Sequence, residues 1–170
     1  ARTNDELRYI GMVAEVVSQK AAFTLNRSSV EIIPGVILSG EIPLKKETHS
    51  SVSKFWAGQE NPGRDTFEDE QCVVIRNNSF TAVLVGCAHR GLENNLFAAM
   101  DVAGATRIDL LAGGFHLADA GEERLESLAG FLERVDVGQI ACCHCTGSDA
   151  IEYLRAKLGT RVAQVRAGVI

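Results

Sequence analysis

Three of the four histidines in this chain stand at the end of an apolar run that a helix-like pattern follows. Ala82-Val83-Leu84-Val85-Gly86-Cys87-Ala88 leads to His89, and Ile108-Asp109-Leu110-Leu111-Ala112-Gly113-Gly114-Phe115 leads to His116. Ile140-Ala141-Cys142-Cys143 leads to His144. Neutral imidazole is a ligand for zinc, iron and manganese. A bound cation can lower the pKa of a coordinated water to about 7, giving hydroxide at neutral pH for attack on an ester, amide or phosphate. Taken singly, each histidine is as well explained by a strand end satisfied by a backbone carbonyl. The same placement three times over points to a metal site, with His89, His116 and His144 as ligands. For His116 a tight turn at Gly113-Gly114 is the competing reading, and His49 lies apart in a polar stretch.

Other residues beside these three carry chemistry. Thr146, Gly147 and Ser148 follow His144 directly and open a helical pattern. Free N–H groups at a helix start, with two hydroxyls, suit a substrate phosphate or carboxylate, although an ordinary helix cap reads equally well. Five cysteines make an odd count, and Cys142, Cys143 and Cys145 crowd around His144. A structural zinc site needs ligand pairs from two separate loops, and no second pair exists. Free thiols in a reducing cytoplasm fit better than a secreted disulfide framework. A cysteine nucleophile, Cys143 or Cys145 with His144, is a weaker idea, for no separate base and orienting acid stand out. Glu68-Asp69-Glu70 reads as a solvated acidic run from which one carboxylate could reach the site edge.

The elements that must hold these residues follow from periodicity. If each apolar run is a buried strand and each following pattern a crossover helix, the strands are parallel and their carboxyl ends share one sheet edge. Open α/β sheets bind ligands at that edge. The first helix has Leu92, Leu96, Phe97, Met100 and Ala103 on one face and stops at Gly104. The second is expected to open at Asp119 with Glu122 three residues on, and to bury Leu125, Leu128, Ala129, Leu132 and Val135. The third opens at Ser148, buries Ile151, Leu154 and Leu158, and ends at Gly159. Upstream, Val30–Ile33 and Val36–Gly40 flank a Pro34-Gly35 turn, and Val73–Ile75 and Phe80–Val85 flank an Asn-rich one. A short helix carrying Leu7, Ile10, Val13, Val16 and Val17 and a last strand over Arg161–Ala167 complete the reading. Residues 43–70 read as a long surface loop, with Phe55 and Trp56 anchoring it to the body.

With 170 residues, 46% of them hydrophobic, the chain can bury one domain's core. A net charge of −5 argues against nucleic acid as a partner. No apolar run approaches the roughly 20 residues that cross a bilayer, so no membrane partner is expected.

Several motifs together resemble one branch of the metallo-β-lactamase superfamily. They are Gly-Cys-Ala-His-Arg-Gly at 86–91, Gly-Gly-Phe-His-Leu at 113–117 and Cys-His-Cys-Thr-Gly at 143–147. Leu7–Gly11, Gly40-Glu41-Ile42-Pro43 and Asp69-Glu70-Gln71 extend the resemblance over nearly the whole chain. The branch contains metal-dependent hydrolases and dihydropterin-ribofuranosylaminobenzene-phosphate synthase-like proteins. The resemblance implies an α/β fold, an αββα sandwich of mixed sheets flanked by helices, with one or two divalent ions at the sheet edges. Zinc is the usual ion, with iron or manganese as alternatives. It implies that His89 completes the first metal site and that His144 helps form the second. The family's bridging aspartate should fall near His116, which then either replaces it or binds substrate.

The family's His-x-His-x-Asp-His segment is absent. The resemblance therefore implies that residues 1–170 form a single partial domain, the C-terminal portion of the sandwich. Such a portion holds two or three of six or more ligands and exposes faces that normally pack. It is expected to be inactive by itself, and either to oligomerise with its own kind or to pair with the missing N-terminal half. The leading function is a metal-dependent hydrolase of a small anionic ester, phosphoester or amide. A pterin-type condensing synthase on the same fold is one alternative, and a metal-free remnant serving as a binding or assembly module is another.

Overall fold

The computed structural model describes residues 2–3, 6–7, 24–45, 55–57, 63–166 and 168. The short helix expected from Leu7 to Val17 lies outside these, apart from Leu7. That residue pairs in a small antiparallel ladder of β1 (Arg2–Thr3) and β2 (Glu6–Leu7). His49 also lies outside them.

The body is a seven-stranded mixed sheet with three helices. Its antiparallel half is β3 (Val30–Ile33), β4 (Val36–Leu38) and β7 (Cys72–Arg76). Gly35 makes the β3–β4 turn with φ 81°, and a Cβ there would sit 2.5 Å from the Arg76 carbonyl oxygen, so only glycine fits. Next to β7 runs β8 (Thr81–Val85), antiparallel to it through the Asn77–Phe80 turn. From there the sheet turns parallel: β8, β9 (Ile108–Gly113), β10 (Val137–Cys142) and β11 (Val162–Gln164). The crossovers are α1 (Leu92–Ala103), α2 (Glu122–Arg134) and α3 (Ser148–Leu158). The spatial order is β11-β10-β9-β8-β7-β4-β3. This is the parallel βαβ series expected from the three histidine-ended runs.

Three boundaries differ from expectation. The second helix opens at Glu122, not Asp119, because residues 117–120 close a turn of their own, with Ala120 N–H donating to Leu117 C=O. Gly121 then precedes the helix without a side-chain cap. The last strand is three residues rather than the run from Arg161, because Gly159–Arg161 forms a 3₁₀ turn. Within 43–70, β5 (Trp56–Ala57) and β6 (Gly63–Arg64) form a small antiparallel pair, so this segment is not wholly irregular. There the Arg64 guanidinium lies 4.5 Å from the Trp56 ring centroid.

The core lies between one face of the sheet and the helices. Alternation sends Cys72, Val74, Val83, Val85, Leu111, Ile140 and Cys142 inward, and all are buried, as are Ile108 and Val137 at the starts of β9 and β10. Against them pack Leu92, Leu96 and Ala99 of α1, Leu125, Leu128 and Leu132 of α2, and Ile151, Leu154 and Leu158 of α3. The opposite face is also apolar. Register aligns Val36 with Ile75, Ile75 with Ala82, Leu84 with Ala112, and Ala82 with Leu110 on that side. Ile33, Ile75 and Leu84 are 60%, 40% and 37% exposed, and Val30, Ile32 and Phe80 are exposed as well. Among the described residues, then, one sheet face has its helical layer and the other presents an aliphatic surface to solvent.

Candidate metal site at the strand ends

The three histidines leave the carboxyl ends of β8, β9 and β10, and each ending contains a non-glycine residue of positive φ. These are Ala88 at 55°, His116 at 50° and His144 at 49°. Each such residue costs about 1–3 kcal/mol of backbone strain, which cross-links must offset. Gly114 N–H donates to Gly86 C=O at 3.0 Å, and Cys143 N–H to Gly113 C=O at 2.9 Å. Leu117 N–H donates to Cys145 C=O at 3.1 Å, tying the second loop to the third. Gly113 and Gly114 permit this close approach. Cβ atoms on them would meet Val85 O at 2.1 Å and Gly86 O at 2.8 Å.

His89 and His116 come together, with ring centroids 4.8 Å apart. Phe67 stacks on His89 at 4.1 Å, and Phe55 stands edge-on to both histidines at 5.4 and 5.8 Å. The anchoring expected of Phe55 is therefore to the site itself, where it forms an apolar wall.

Behind His89 stands Glu70, whose side chain is only 8% exposed. Its Oε1 accepts from His89 N–H at 2.5 Å, and its Oε2 accepts from Arg90 N–H at 2.8 Å and from Asn95 Nδ2 at 3.1 Å. His89 Nδ1 lies 3.3 Å from Oε1. Burial alone would raise the pKa of this carboxyl. The hydrogen bonds from the His89 side chain, Arg90 N–H, Asn95 and His89 N–H outweigh it and hold the group below its ordinary value. An anionic carboxylate at Nδ1 fixes the proton there and leaves Nε2 as the available donor, the arrangement that orients metal-ligating histidines.

Arg90 is buried beside this carboxylate. Its guanidinium donates to Thr66 C=O at 2.7 Å, Glu41 Oε1 at 3.0 Å and Ile42 C=O at 2.5 Å. Three motifs distant in sequence, Gly40–Pro43, Asp69–Gln71 and Gly86–Gly91, thus meet around His89.

His144 lies beside two thiols. It is exposed, and one of its imidazole nitrogens lies with the Cys87 and Cys145 sulfurs in a cluster whose donor atoms are all within 4.8 Å of one another. Burial, and then the neighbouring Cys145, push the Cys87 thiol up to about 12. Cys142 is raised to about 12 by burial in the core and takes no part.

Of the residues expected to cradle an anion, Thr146 has its hydroxyl engaged within the protein. The Thr146 side chain is fully buried, and its Oγ1 accepts from Phe115 N–H at 3.1 Å and donates to Cys143 C=O at 2.8 Å. Its hydroxyl holds the His116 loop to the His144 loop. Gly147, at φ 81°, passes Ala118 so closely that a Cβ would lie 2.7 Å from its Cα. Ser148 is exposed, and its Oγ lies 3.3 Å from Asp149 Oδ1, an acidic neighbour in the first turn of α3.

Sequence reasoning allowed one carboxylate of the 68–70 run at the site edge without singling out Glu70, and set Cys145 beside His144 without Cys87. Glu70 sits in an acidic run whose simplest reading is solvated, and only its place just before β7 hinted otherwise. Cys87 and Cys145 are 58 positions apart, so no local spacing could pair them.

A chain of this length can be set beside known proteins. No family model matches it. It is 26% identical over 152 residues to the 7,8-dihydropterin-6-methyl-4-(β-D-ribofuranosyl)-aminobenzene-5′-phosphate synthase of Methanocaldococcus jannaschii, covering 87% of this chain and 52% of that protein. Its fold matches a crystal structure described as a metal-dependent hydrolase of the β-lactamase superfamily. The TM-score is 0.75 with 28% identity, over 88% of this chain and 57% of the other. The chain therefore spans about half the length of each.

Proposed function

We propose, from the metallo-β-lactamase superfamily fold that the chain's architecture and both likenesses support, that it contributes to a divalent-cation-dependent catalytic site acting on a small anionic substrate. The observation that carries this is the Glu70–His89–His116 arrangement: a buried carboxylate at Nδ1 of one imidazole, and a second imidazole 4.8 Å away. His89 and His116 would hold one cation, and His144 would serve a second position. When bound, such an ion supplies Lewis acidity, polarising an ester, amide or phosphate oxygen and acidifying water. Glu70 fixes the tautomer and orientation of His89. Phe55 and Phe67 limit water on one side, which strengthens electrostatic interactions at the imidazoles.

Two or three histidine ligands are fewer than a tight dinuclear site requires. The working site then draws further ligands from another segment or another chain, docked on the aliphatic sheet face that lies open here. That this chain covers only 52% and 57% of the two proteins it resembles supports that reading.

The reaction is either hydrolysis or a pterin-type condensation, and the similarity to a synthase gives the second equal standing. Incubating the metal-loaded protein with a phosphoester, and separately with an activated dihydropterin together with an aminobenzene co-substrate, separates them by product. Release of phosphate alone supports hydrolysis, and a coupled pterin product supports condensation. Neither product from the metal-loaded protein joined to the segment or chain that supplies the further ligands would contradict the catalytic reading.

A further inference from the structure

We propose that Phe67 is a positioning residue for His89, and that the turn Phe67–Glu70 holds this imidazole at two points. The inference deepens the catalytic reading and rests on it, for it concerns the same imidazole. Phe67 lies flat on the His89 ring, with centroids 4.1 Å apart and planes 16° from parallel. Glu70 meets the same ring at Nδ1, with its Oε1 3.3 Å away. The two residues belong to one turn, closed by Glu70 N–H donating to Phe67 C=O at 3.0 Å. A hydrogen bond at Nδ1 fixes the direction of the ring but lets it rock about that bond. A flat face against the ring removes the rocking.

The backbone shows that this placement is enforced. Phe67 has φ 49°, a left-handed conformation that is costly for a bulky side chain. Its N–H donates to Asp65 Oδ1 at 2.8 Å, and the preceding carbonyl, that of Thr66, accepts from the buried Arg90 guanidinium at 2.7 Å. Arg90 follows His89 directly, so the imidazole and the residue that covers it are tied together at short range. Phe55 stands edge-on to Phe67 at 5.3 Å, and its carbonyl accepts from Asp65 N–H at 3.2 Å. Strain of this kind persists only where the surrounding structure over-determines it, and it clusters at functional sites. The face of a phenyl ring is electron-rich. An imidazole whose Nε2 gives its electron pair to a cation becomes electron-poor and is drawn harder to that face. The stack therefore favours cation binding as well as the orientation of the ring.

The test compares Phe67→Leu, Phe67→Tyr and Phe67→Gly with the unsubstituted protein. The first readout is NMR of the metal-free protein, with the His89 ring protons assigned by their loss in His89→Ala. The second is zinc affinity by isothermal titration. A phenyl face over the imidazole displaces its ring protons upfield. The expected result is that displacement in the unsubstituted protein and in Phe67→Tyr. It should vanish in Phe67→Leu, which keeps apolar cover but has no flat face. Phe67→Leu should weaken zinc binding at least about tenfold, the low end of what losses behind a metal ligand cost, and Phe67→Tyr should restore it. Phe67→Gly relieves the left-handed backbone, yet should bind zinc as poorly as Phe67→Leu; a merely structural role would not produce that loss. His89 ring protons without the upfield displacement would overturn the proposal, and the unsubstituted protein decides this even if a variant fails to fold. So would a zinc affinity that falls in His89→Ala and stays unchanged in Phe67→Leu. A zinc affinity indifferent to His89→Ala as well would overturn the catalytic reading, and the proposal with it.

Discussion

Glu70→Gln should destabilise the fold by about 2–4 kcal/mol, far more than its acidic neighbour Glu68 allows. The Glu70 carboxylate takes two backbone N–H groups, the Asn95 amide and the His89 ring from within the protein. A carboxamide keeps one acceptor oxygen and turns an NH₂ toward the rest. One of the two backbone donors then loses its partner in a buried place, at about 1–3 kcal/mol, and the Asn95 contact weakens as well. Glu68 reaches only Arg27, at 3.3 Å, and both side chains are more than half exposed. Such pairs contribute about 0–1 kcal/mol. Urea unfolding followed by circular dichroism, with Glu68→Gln as the paired control, reads the difference directly. At roughly 2–4 °C per kcal/mol for this size, the Glu70 variant should also melt about 5–15 °C lower. A loss below about 1 kcal/mol, or equal losses at positions 68 and 70, would refute the assignment of Glu70 as the support of His89.

The same carboxylate sets a pH dependence. Its folded pKa is depressed, so the stability it confers is present above its unfolded value of about 4.3 and is lost as pH falls through the folded one. The stability gap between the native protein and Glu70→Gln should therefore be widest near neutrality and narrow below about pH 4; a gap constant from pH 7 to 3 would contradict this. Thr146→Val should cost about 1–3 kcal/mol by leaving Phe115 N–H without its acceptor, measurable by the same unfolding assay. The open sheet face predicts self-association. Leu84→Asp should lower the mass seen by light scattering, whereas a stable monomer before substitution would show that the face needs no cover.

The parallel strand series was legible because its signals are local. Each of the three runs is apolar over strand length, ends in glycine or histidine, and is followed by a helical stripe. The Pro34-Gly35 and Asn77-Asn78 turns announced the antiparallel strands in the same way. The start of α2 was misread because Asp119 resembles a cap, while the 117–120 turn that displaces it depends on its own backbone bond. The site was half legible. Histidines at strand ends can be read from a sequence, but their neighbours cannot: His89 and His116 lie ring to ring, and His144 lies beside the Cys87 and Cys145 sulfurs. Glu70 was hidden because its burial is tertiary, supplied by Asn95 of α1 and by the His89 loop. Thr146 looked like a ligand contact for the same reason, since nothing local reveals that Phe115 uses its hydroxyl.

The central claim is that the His89–His116 pair holds a divalent cation under the control of Glu70. It is tested most directly by isothermal titration of the metal-stripped protein with Zn(II), beside His89→Ala, His116→Ala and Glu70→Gln. The account predicts a binding event lost in both alanine variants and weakened about 10–100-fold in Glu70→Gln. A zinc isotherm indifferent to all three substitutions would contradict it.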